Sequence, residues 1–312
     1  MFKLNQLEFN DISHPIDGVI TCSGYESRSI HQAQQYRLLD NVRNTLVLGF
    51  NSYLEELSRP VNDEFYHSQN AEISIVTDID NLRSLIENFF SMVCKTSGNK
   101  QTSIYVDYSC MPKDWYSLIL LLVHHAPNQN LKLYFGYSHA LYSPHKDNSA
   151  FNRVVEPMIG FCHLSLPSTE TVIIITLGNN KTQTEGLKEY FDTDPYLIYS
   201  DLSFNKEFSQ EIEDKHRELI SATPDDQVFK LPIHSMQYSY NVLFSLAEAL
   251  SKESRVIFTP CGPKPFTLIN LIVSLNLNSG VDVWRISQGR NYEPIDRIAQ
   301  GLISVIELEK AS

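Results

Sequence analysis

The sequence predicts an α/β protein in which two tandem lobes each contain a mostly parallel sheet. Short β-branched or apolar runs alternate with longer helix-compatible segments in both halves of the chain, which is typical of parallel βαβ units. Three segments of the first half also recur, in the same order, in the second half. An ordered repeat indicates an internal duplication, so we expect the two lobes to share one architecture.

The strongest repeat is a loop that leads into an apolar, helix-like segment. Aligned without a gap, residues 110–115 and 261–266 share Cys, Pro, Lys and an aromatic residue at an offset of 151 (261 − 110). The strand-like residues 19–24 and 173–178 match at an offset of 154 (173 − 19). A third match joins residues 131–144 to residues 281–294 at an offset of 150 (281 − 131).

In the first half the pattern predicts strands and helices in alternation. Residues 78–93 show the helical signal most clearly, because apolar side chains recur there at the spacing of one helix face. The expected strands are residues 18–22, 45–49, 72–76, 103–108 and 132–136. The expected helices are residues 29–39, 52–57, 78–93 and 113–125.

The second half repeats this plan after a poorly patterned stretch that carries Pro144, Pro157 and Pro167. The expected strands are residues 171–177, 196–199, 228–232, 255–259 and 281–286, and the expected helices are residues 182–191, 204–220, 236–251 and 266–275. We therefore predict a first lobe over residues 1–145, a linker over 146–170 with a helix around 151–159, and a second lobe over 171–312.

Composition narrows the class of function. The 312 residues carry a net charge of −12, which argues against extensive binding of duplex nucleic acid. The five cysteines are scattered and no Cys/His spacing fits a zinc site, so we expect no metal, no cofactor and no disulfide framework. The start lacks the apolar run of a signal peptide and no run is long enough to span a membrane, so a cytoplasmic location is expected.

The loop after the first strand is a candidate ligand contact. In open α/β sheets the ligand crevice lies beyond the carboxyl ends of the strands. Gly24 permits a tight turn, Tyr25 is placed to meet a base or ribose, and Arg28 offers a bidentate contact to phosphate or carboxylate. The alternative is an ordinary helix start capped by a serine, with Glu26 and Arg28 solvated.

The corresponding loop of the second half is Gly178, Asn179, Asn180 and Lys181. Asparagines after a glycine adopt left-handed conformations readily and offer amide groups to a nucleobase or ribose. A plain turn with Thr182 as the helix cap explains the same residues.

The Cys-x-Pro-Lys-x-aromatic loops carry the strongest prediction. A lysine at a helix amino end opposes the helix dipole unless an anion lies between them, which makes Lys113 and Lys264 candidates for phosphate contacts. Ser109 lies in the first of these loops, and Gly262 permits close backbone approach in the second. Alternatively, the proline and the aromatic residue fix the loop geometry and the lysine is simply solvated.

Besides a protein that binds a small anionic, nucleotide-like ligand, the sequence leaves two other functions open. The first is an enzyme that acts on a nucleotide or nucleotide-sugar, with Asp107 or Glu26 as the general acid or base. Asp107 ends its strand, and the corresponding position of the second half is Phe258. The second is a non-catalytic subunit that holds a partner protein.

The second of these loops, Cys261 to Phe266 after a buried strand, resembles the strand–Gly-Thr-Lys-Pro-Met–helix signature of CARF domains, and the duplication is similar to the fused pairs of SAVED domains. The resemblance implies two tandem Rossmann-like lobes with mostly parallel sheets, related by internal pseudo-duplication, that sense a small nucleotide-like ligand in bacterial antiviral defence. It further implies that Lys113 and Lys264 lie near the ligand, with residues 23–28 and 178–181 as pocket walls. The output would then lie in a separate effector or partner chain, or in turnover of the ligand itself.

Overall fold

The computed structural model describes residues 1–40, 42–97, 101–126, 130–143, 154–166, 168–201, 206–277, 280–287 and 294–310. The chain divides into two compact units. Unit 1 comprises Met1–Leu141 and Glu293–Ser312, and unit 2 comprises Tyr142–Tyr292.

Strands and helices alternate through both units. The strands are β1 (Phe2–Leu7), β2 (Gly18–Ser23), β3 (Asn44–Phe50), β4 (Ile73–Val76), β5 (Thr102–Asp107), β6 (Leu131–Ala140), β7 (Val154–Pro157), β8 (Thr171–Thr176), β9 (Tyr196–Asp201), β10 (Val228–Pro232), β11 (Arg255–Pro260), β12 (Val281–Ser287) and β13 (Ala299–Lys310). The α-helices are α1 (His31–Gln35), α2 (Arg59–Ser68), α3 (Ile79–Ser97), α4 (Lys113–His125), α5 (Lys181–Phe191), α6 (Lys206–Lys215), α7 (Arg217–Ala222), α8 (Met236–Leu250) and α9 (Lys264–Leu277). Short 3-10 turns lie at Phe9–Asp11, Ser27–Ile30 and Asp225–Gln227.

Each unit is built on one sheet, and the two sheets share a strand order. In unit 1 the described strands lie in the order β1-β13-β6-β5-β2-β3-β4, and in unit 2 in the order β10-β9-β8-β11-β12-β7. The five strands β2 to β6 pair in parallel, as do the five strands β8 to β12. Both sets follow the order third-second-first-fourth-fifth of a doubly wound sheet. The predicted class of two tandem Rossmann-like lobes is confirmed.

The last strand does not belong to the second lobe, where the sequence analysis put residues 293–312. Strand β13 lies between β1 and β6 and is antiparallel to both, so it completes the sheet of unit 1. Val305, Ile306 and Leu308 are almost fully buried there. Strand β1 was not predicted, and it covers the outer edge of β13.

The predicted linker also contains sheet structure. Residues 154–157 form β7, an edge strand antiparallel to Trp284–Ser287 of β12, and not part of the helix expected around 151–159. The β-branched pair Val154 and Val155 favours a strand, and Pro157 is tolerated because it ends an edge strand. Residues 151–153 lie outside the described residues, as do Pro144 and Tyr292 of the third repeat.

Two helix predictions fail for local reasons. Residues 52–57 form turns instead of a helix, and the helix α2 that follows begins at Arg59 with Pro60 in its first turn. Residues 29–39 contain only the five-residue α1 after a 3-10 turn. The segment predicted at 204–220 contains α6 and α7, with residues 204–205 outside the described part. The other elements agree with the prediction to within a few residues.

The cores lie between the sheets and their helices. In unit 2, the side chains of Ile173, Ile175 and Leu197 pack with Leu187 of α5 and Ile212 of α6. The central strands of both sheets are rich in buried apolar side chains, as expected where helices flank a parallel sheet on both faces. None of the described helices has the length and apolar character needed to cross a membrane.

Candidate functional site

In each unit the strand order reverses between two neighbouring parallel strands. The reversal lies between β2 and β5 in unit 1 and between β8 and β11 in unit 2. A doubly wound sheet opens a crevice at this point, on the carboxyl side of the strands. The loops after these four strands, at residues 24–26, 108–112, 177–180 and 261–263, are called the switch loops here. They are the loops that the sequence analysis selected.

Lys113 and Lys264 occupy equivalent positions in the two units. Each is the first residue of the helix that follows the fourth parallel strand of its sheet, α4 in unit 1 and α9 in unit 2. Each side chain is partly exposed. Pro112 is the residue before α4 and provides no side-chain cap, so backbone N–H groups of the first turn lie close to Lys113.

The first switch loop of unit 1 is held by a helix that the sequence analysis missed. The Asn62 side-chain amide of α2 donates to the carbonyl oxygens of Gly24 at 2.8 Å and Glu26 at 2.9 Å. The Ser58 backbone N–H donates to the Tyr25 carbonyl at 3.1 Å. Asn62 is 1% exposed. These bonds fix the backbone on both sides of Tyr25.

Arg28 lies beneath the loop and not on its surface. It is 3% exposed, and its Nε donates to Glu26 at 2.6 Å. Its Nη1 donates to the Ser138 carbonyl at 2.7 Å and the Tyr137 hydroxyl at 3.2 Å. Burial alone would lower the pKa of Arg28, but Tyr137 and Glu26 raise it well above its usual value. Both sequence interpretations, a phosphate clamp and a solvated side chain, are therefore replaced by a buried structural cation.

An acidic residue from outside the predicted loops, Asp296, bonds the segment that follows the first switch loop of unit 1. The Ser27 backbone N–H donates to Asp296 Oδ1 at 2.6 Å, and the Ser58 hydroxyl donates to Asp296 Oδ2 at 3.4 Å. The Arg28 N–H donates to the Arg297 carbonyl at 3.2 Å. A carboxylate of the chain itself thus accepts a hydrogen bond from a backbone N–H group at the end of this loop.

Asp107 and Ser109 belong to a buried hydrogen-bond network. Asp107 is 3% exposed, and its Oδ1 accepts from the Ser109 hydroxyl at 2.6 Å, the Ser109 N–H at 3.0 Å and Gln32 Nε2 at 2.9 Å. Gln32 Oε1 in turn accepts from the Tyr105 hydroxyl at 2.7 Å. The Ser138 N–H donates to the Ser109 hydroxyl at 2.8 Å. This network joins the second switch loop of unit 1 to α1 and β6. Asp107 is therefore a buried structural residue, whereas a general base must be within reach of a substrate.

Four aromatic rings adjoin the switch loops of unit 1. Phe50 stacks on Trp115 with ring centroids 5.0 Å apart and on Tyr25 at 6.0 Å. Tyr53 meets Tyr25 edge-on at 5.6 Å. Trp115 is 8% exposed, whereas the other three rings are half-buried. Of the four, the sequence analysis assigned only Tyr25 to the site.

In unit 2 the two switch loops touch each other. A Cβ added to Gly178 would lie 2.1 Å from the Cys261 carbonyl oxygen, and one added to Gly262 would lie 2.6 Å from the Leu177 carbonyl oxygen. Both glycines are therefore required by loop-to-loop packing. Gly262 was expected to permit close backbone approach, and in the structure the group that approaches it is the Leu177 carbonyl of the other loop.

The remaining predicted residues of unit 2 have local partners. Asn180 is the residue before α5, and its Oδ1 accepts from the Gln183 N–H at 3.1 Å, so Asn180 and not Thr182 caps the helix. Lys181 pairs with Glu218 at 2.8 Å and with Glu185 at 3.5 Å. Its hydrogen bond to Glu218 raises the pKa of Lys181. The Asn179 carbonyl accepts from Lys215 at 3.4 Å.

A buried histidine supports the same loop. His216 Nε2 lies 2.8 Å from the Gly178 carbonyl oxygen, and the side chain is 1% exposed. Burial lowers the pKa of His216, so the ring is neutral at neutral pH and Nε2 carries the proton that it donates. Within the described ranges, no group of three or more His, Cys, Asp or Glu residues is arranged to hold a metal ion.

Comparison with known proteins finds no family model that matches and no curated relative. The cytoplasmic domain of a prokaryotic cation chloride cotransporter is similar over 88% of this chain and 97% of its own, at 12% identity and a TM-score of 0.25. Phosphoethanolamine N-methyltransferase 1 of Haemonchus contortus is similar over 96% of this chain and 89% of its own, at 9% identity and a TM-score of 0.22. A multidomain structure of a keto acid-selecting NRPS module is similar over 90% of this chain and 34% of its own, at 12% identity and a TM-score of 0.20. Likenesses this slight carry no argument about function.

Proposed function

We propose that this chain is a cytoplasmic sensor that binds a small anionic, nucleotide-like ligand at the switch loops. The observation that carries the proposal is the equivalent position of Lys113 and Lys264, each the first residue of the helix that leaves the point of strand reversal. A helix amino end presents backbone N–H groups and a positive dipole, and a lysine at its first residue adds an ammonium group at the same place. A phosphate bound there would be attracted by both.

The two candidate acids, both in unit 1, support binding more than catalysis. Asp107 has three hydrogen bonds to its Oδ1, and Glu26 is paired with Arg28, so both candidate acids have structural partners. The fold itself hosts many unrelated activities and does not favour an enzyme over a sensor. The resemblance to CARF and SAVED domains agrees with a sensor whose output passes to another chain.

A thermal-shift panel of mono-, di- and cyclic nucleotides tests the proposal. We expect at least one to raise the melting temperature of the protein, and we expect Lys113→Ala and Lys264→Ala to reduce that rise. Loss of a charge-assisted phosphate contact costs about 1.5–3 kcal/mol, which is about ten- to hundredfold in affinity.

Two lysines serve as matched controls. Lys95 lies in the last turn of α3, before β5, and Lys252 follows α8, before β11, so each lies at the amino edge of the sheet that carries the tested lysine. Both are exposed. Lys95→Ala and Lys252→Ala should leave the ligand response unchanged. A panel without any response, or equal losses in tested and control variants, would contradict the proposal.

A further inference from the structure

Four aromatic residues form a cluster beside the switch loops of unit 1: Tyr25, Phe50, Tyr53 and Trp115. The rings are in contact in the order Tyr53–Tyr25–Phe50–Trp115, with centroid distances of 5.6, 6.0 and 5.0 Å. Trp115 is buried, whereas Phe50, Tyr25 and Tyr53 are half-buried. The inner end of the cluster, at Trp115, is packed into the unit, and the outer end, at Tyr25 and Tyr53, keeps part of its ring surface exposed.

The outer end of the cluster is preorganised. The backbone of Tyr25 is fixed by Asn62 and by the Ser58 N–H. Gly24 leaves room for the neighbouring ring, because a Cβ there would lie 3.0 Å from Phe50. A rigid aromatic surface binds with little loss of side-chain entropy.

The loop that contains Tyr53 has an unusual backbone conformation. Tyr53 has φ = 59° and Leu57 has φ = 49°, a left-handed conformation that is costly for side chains of this size. The same loop leaves Leu54 47% exposed and Leu57 49% exposed. A loop with two left-handed residues thus places exposed Leu54 and Leu57 and half-buried Tyr53 next to the carboxyl end of β3.

We infer that this aromatic cluster is the subsite for a nucleobase, which stacks on the rings of Tyr25 and Tyr53. The inference rests on the proposed function and specifies which unit reads the base. Planar heterocycles stack on partly exposed aromatic side chains whatever the base, because every base has a π face. Lys113 and Trp115 lie in one turn of α4, so the phosphate and base subsites are joined by a single helix end.

Trp115 provides a direct optical test. The chain has two tryptophans, and Trp284→Phe leaves Trp115 as the sole reporter. We would titrate this variant with the four nucleoside monophosphates, the four nucleosides and ribose 5-phosphate at millimolar concentration. We expect at least one nucleotide and its nucleoside to change the Trp115 emission, and ribose 5-phosphate to leave it unchanged.

Substitution of Tyr53 tests the stacking itself. In the same background, Tyr53→Ala should weaken the response about tenfold or more, and Tyr53→Phe, which keeps the ring, should retain it. Tyr238→Ala is the matched control, because Tyr238 is a 54% exposed tyrosine on α8 of unit 2.

The outcomes separate the two ideas. A nucleotide that stabilises the protein without any Trp115 response, and with full affinity in Tyr53→Ala, would overturn the base subsite and leave the proposed function standing. A response to nucleosides with no effect of phosphate or of Lys113→Ala would support the base subsite and contradict an anionic ligand. Silence of Trp115 toward every nucleotide and nucleoside would overturn the inference.

Discussion

At the scale of single residues, the polar side chains of α9 show how differently one residue type behaves. Asn270 and Asn276 are both buried in this helix, at 0% and 3% exposure. Asn276 Nδ2 donates to the Tyr240 hydroxyl at 2.8 Å. In the described part of the protein, neither amide atom of Asn270 has a hydrogen-bond partner. Burying an amide without partners costs free energy, whereas a hydrogen bond offsets the cost of removing the amide from water.

We predict opposite effects for the same substitution at these two positions. Asn270→Leu should raise the free energy of unfolding by about 1 kcal/mol, because it removes an unsatisfied amide and suits a helix interior. Asn276→Leu should lower it by about 1–3 kcal/mol, because the Tyr240 hydroxyl loses its donor. Urea unfolding of the two variants measures both. A clear loss of stability in Asn270→Leu would show that the amide has an internal partner, such as a bound water.

At the scale of elements, helix α2 organises the first switch loop although none of its residues was predicted to do so. Asn62 is buried and bonds two loop carbonyls, and its neighbour Arg59 donates to Asp63 at 2.7 Å and to the Phe50 carbonyl at 3.1 Å. The helix therefore couples the loop at residues 24–26 to the end of β3. Asn62 can therefore affect ligand affinity through the position of the loop, without contacting the ligand itself.

We predict that Asn62→Ala lowers stability by about 1–3 kcal/mol, because two buried carbonyls lose their donor. Amide hydrogen exchange should become faster at residues 24–27. Asn241→Ala is the control, since Asn241 is exposed on α8 and its Oδ1 accepts a hydrogen bond from Gln237 of the same helix at 3.3 Å. Unchanged exchange at the loop would contradict the positioning role of α2.

The contact between His216, which lies between α6 and α7, and the Gly178 carbonyl predicts a dependence on pH. Burial is the main cause that lowers the pKa of His216. The positive charges of Lys181 and Lys215 lower this pKa further, whereas the Gly178 carbonyl and Glu185 raise it. A histidine whose folded pKa is depressed binds fewer protons than the unfolded chain. Its contribution to stability is present above its ordinary pKa of about 6.5 and is lost as the pH falls below that value.

We therefore expect the free energy of unfolding to decrease between about pH 7.5 and pH 5.5, and to decrease less steeply in His216→Gln. Glutamine retains an Nε2 donor for the Gly178 carbonyl but does not titrate. His31 and His124, whose pKa values burial also lowers, are present in both proteins, so the difference isolates His216. Parallel pH profiles of the two proteins would contradict this assignment.

At the scale of the whole molecule, unit 1 is discontinuous, because the chain leaves it at Leu141 and returns to it for the last strand. Strand β13 joins β1 and β6, with which it pairs along most of its length. Its buried side chains belong to the core of unit 1. The stability of unit 1 therefore depends on residues at the far end of the sequence.

We predict that Ile306→Ala destabilises unit 1 by about 2–5 kcal/mol, because Ile306 is fully buried and its removal leaves a cavity. Leu302→Ala on the same strand should have little effect, since Leu302 is 39% exposed. Unfolding monitored by Trp115 in the Trp284→Phe background reports on unit 1. Equal effects of the two substitutions would show that β13 is not part of this core.

Much of the candidate site was predictable because its signals are local. Pro112 and Lys113 mark a helix start in a few residues of sequence, and their repetition at 263 and 264 identified the equivalent loop. Burial was not predictable. Arg28 was expected at the surface, yet its partners Tyr137 and Ser138 are distant in sequence. Asp296 and Asn62 carry no motif, and only their contacts mark them as part of the site.

By itself, the sequence determined the class of fold, the alternation of strands and helices, and the two equivalent lysine loops. Hydrophobic periodicity and turn residues act over a few positions, so one chain reveals them. Only the tertiary structure decided that β13 completes unit 1, that Gly178 and Gly262 serve loop packing, and that Tyr53 joins Tyr25 in one cluster. These features depend on contacts between residues far apart in the chain, for which no local pattern exists.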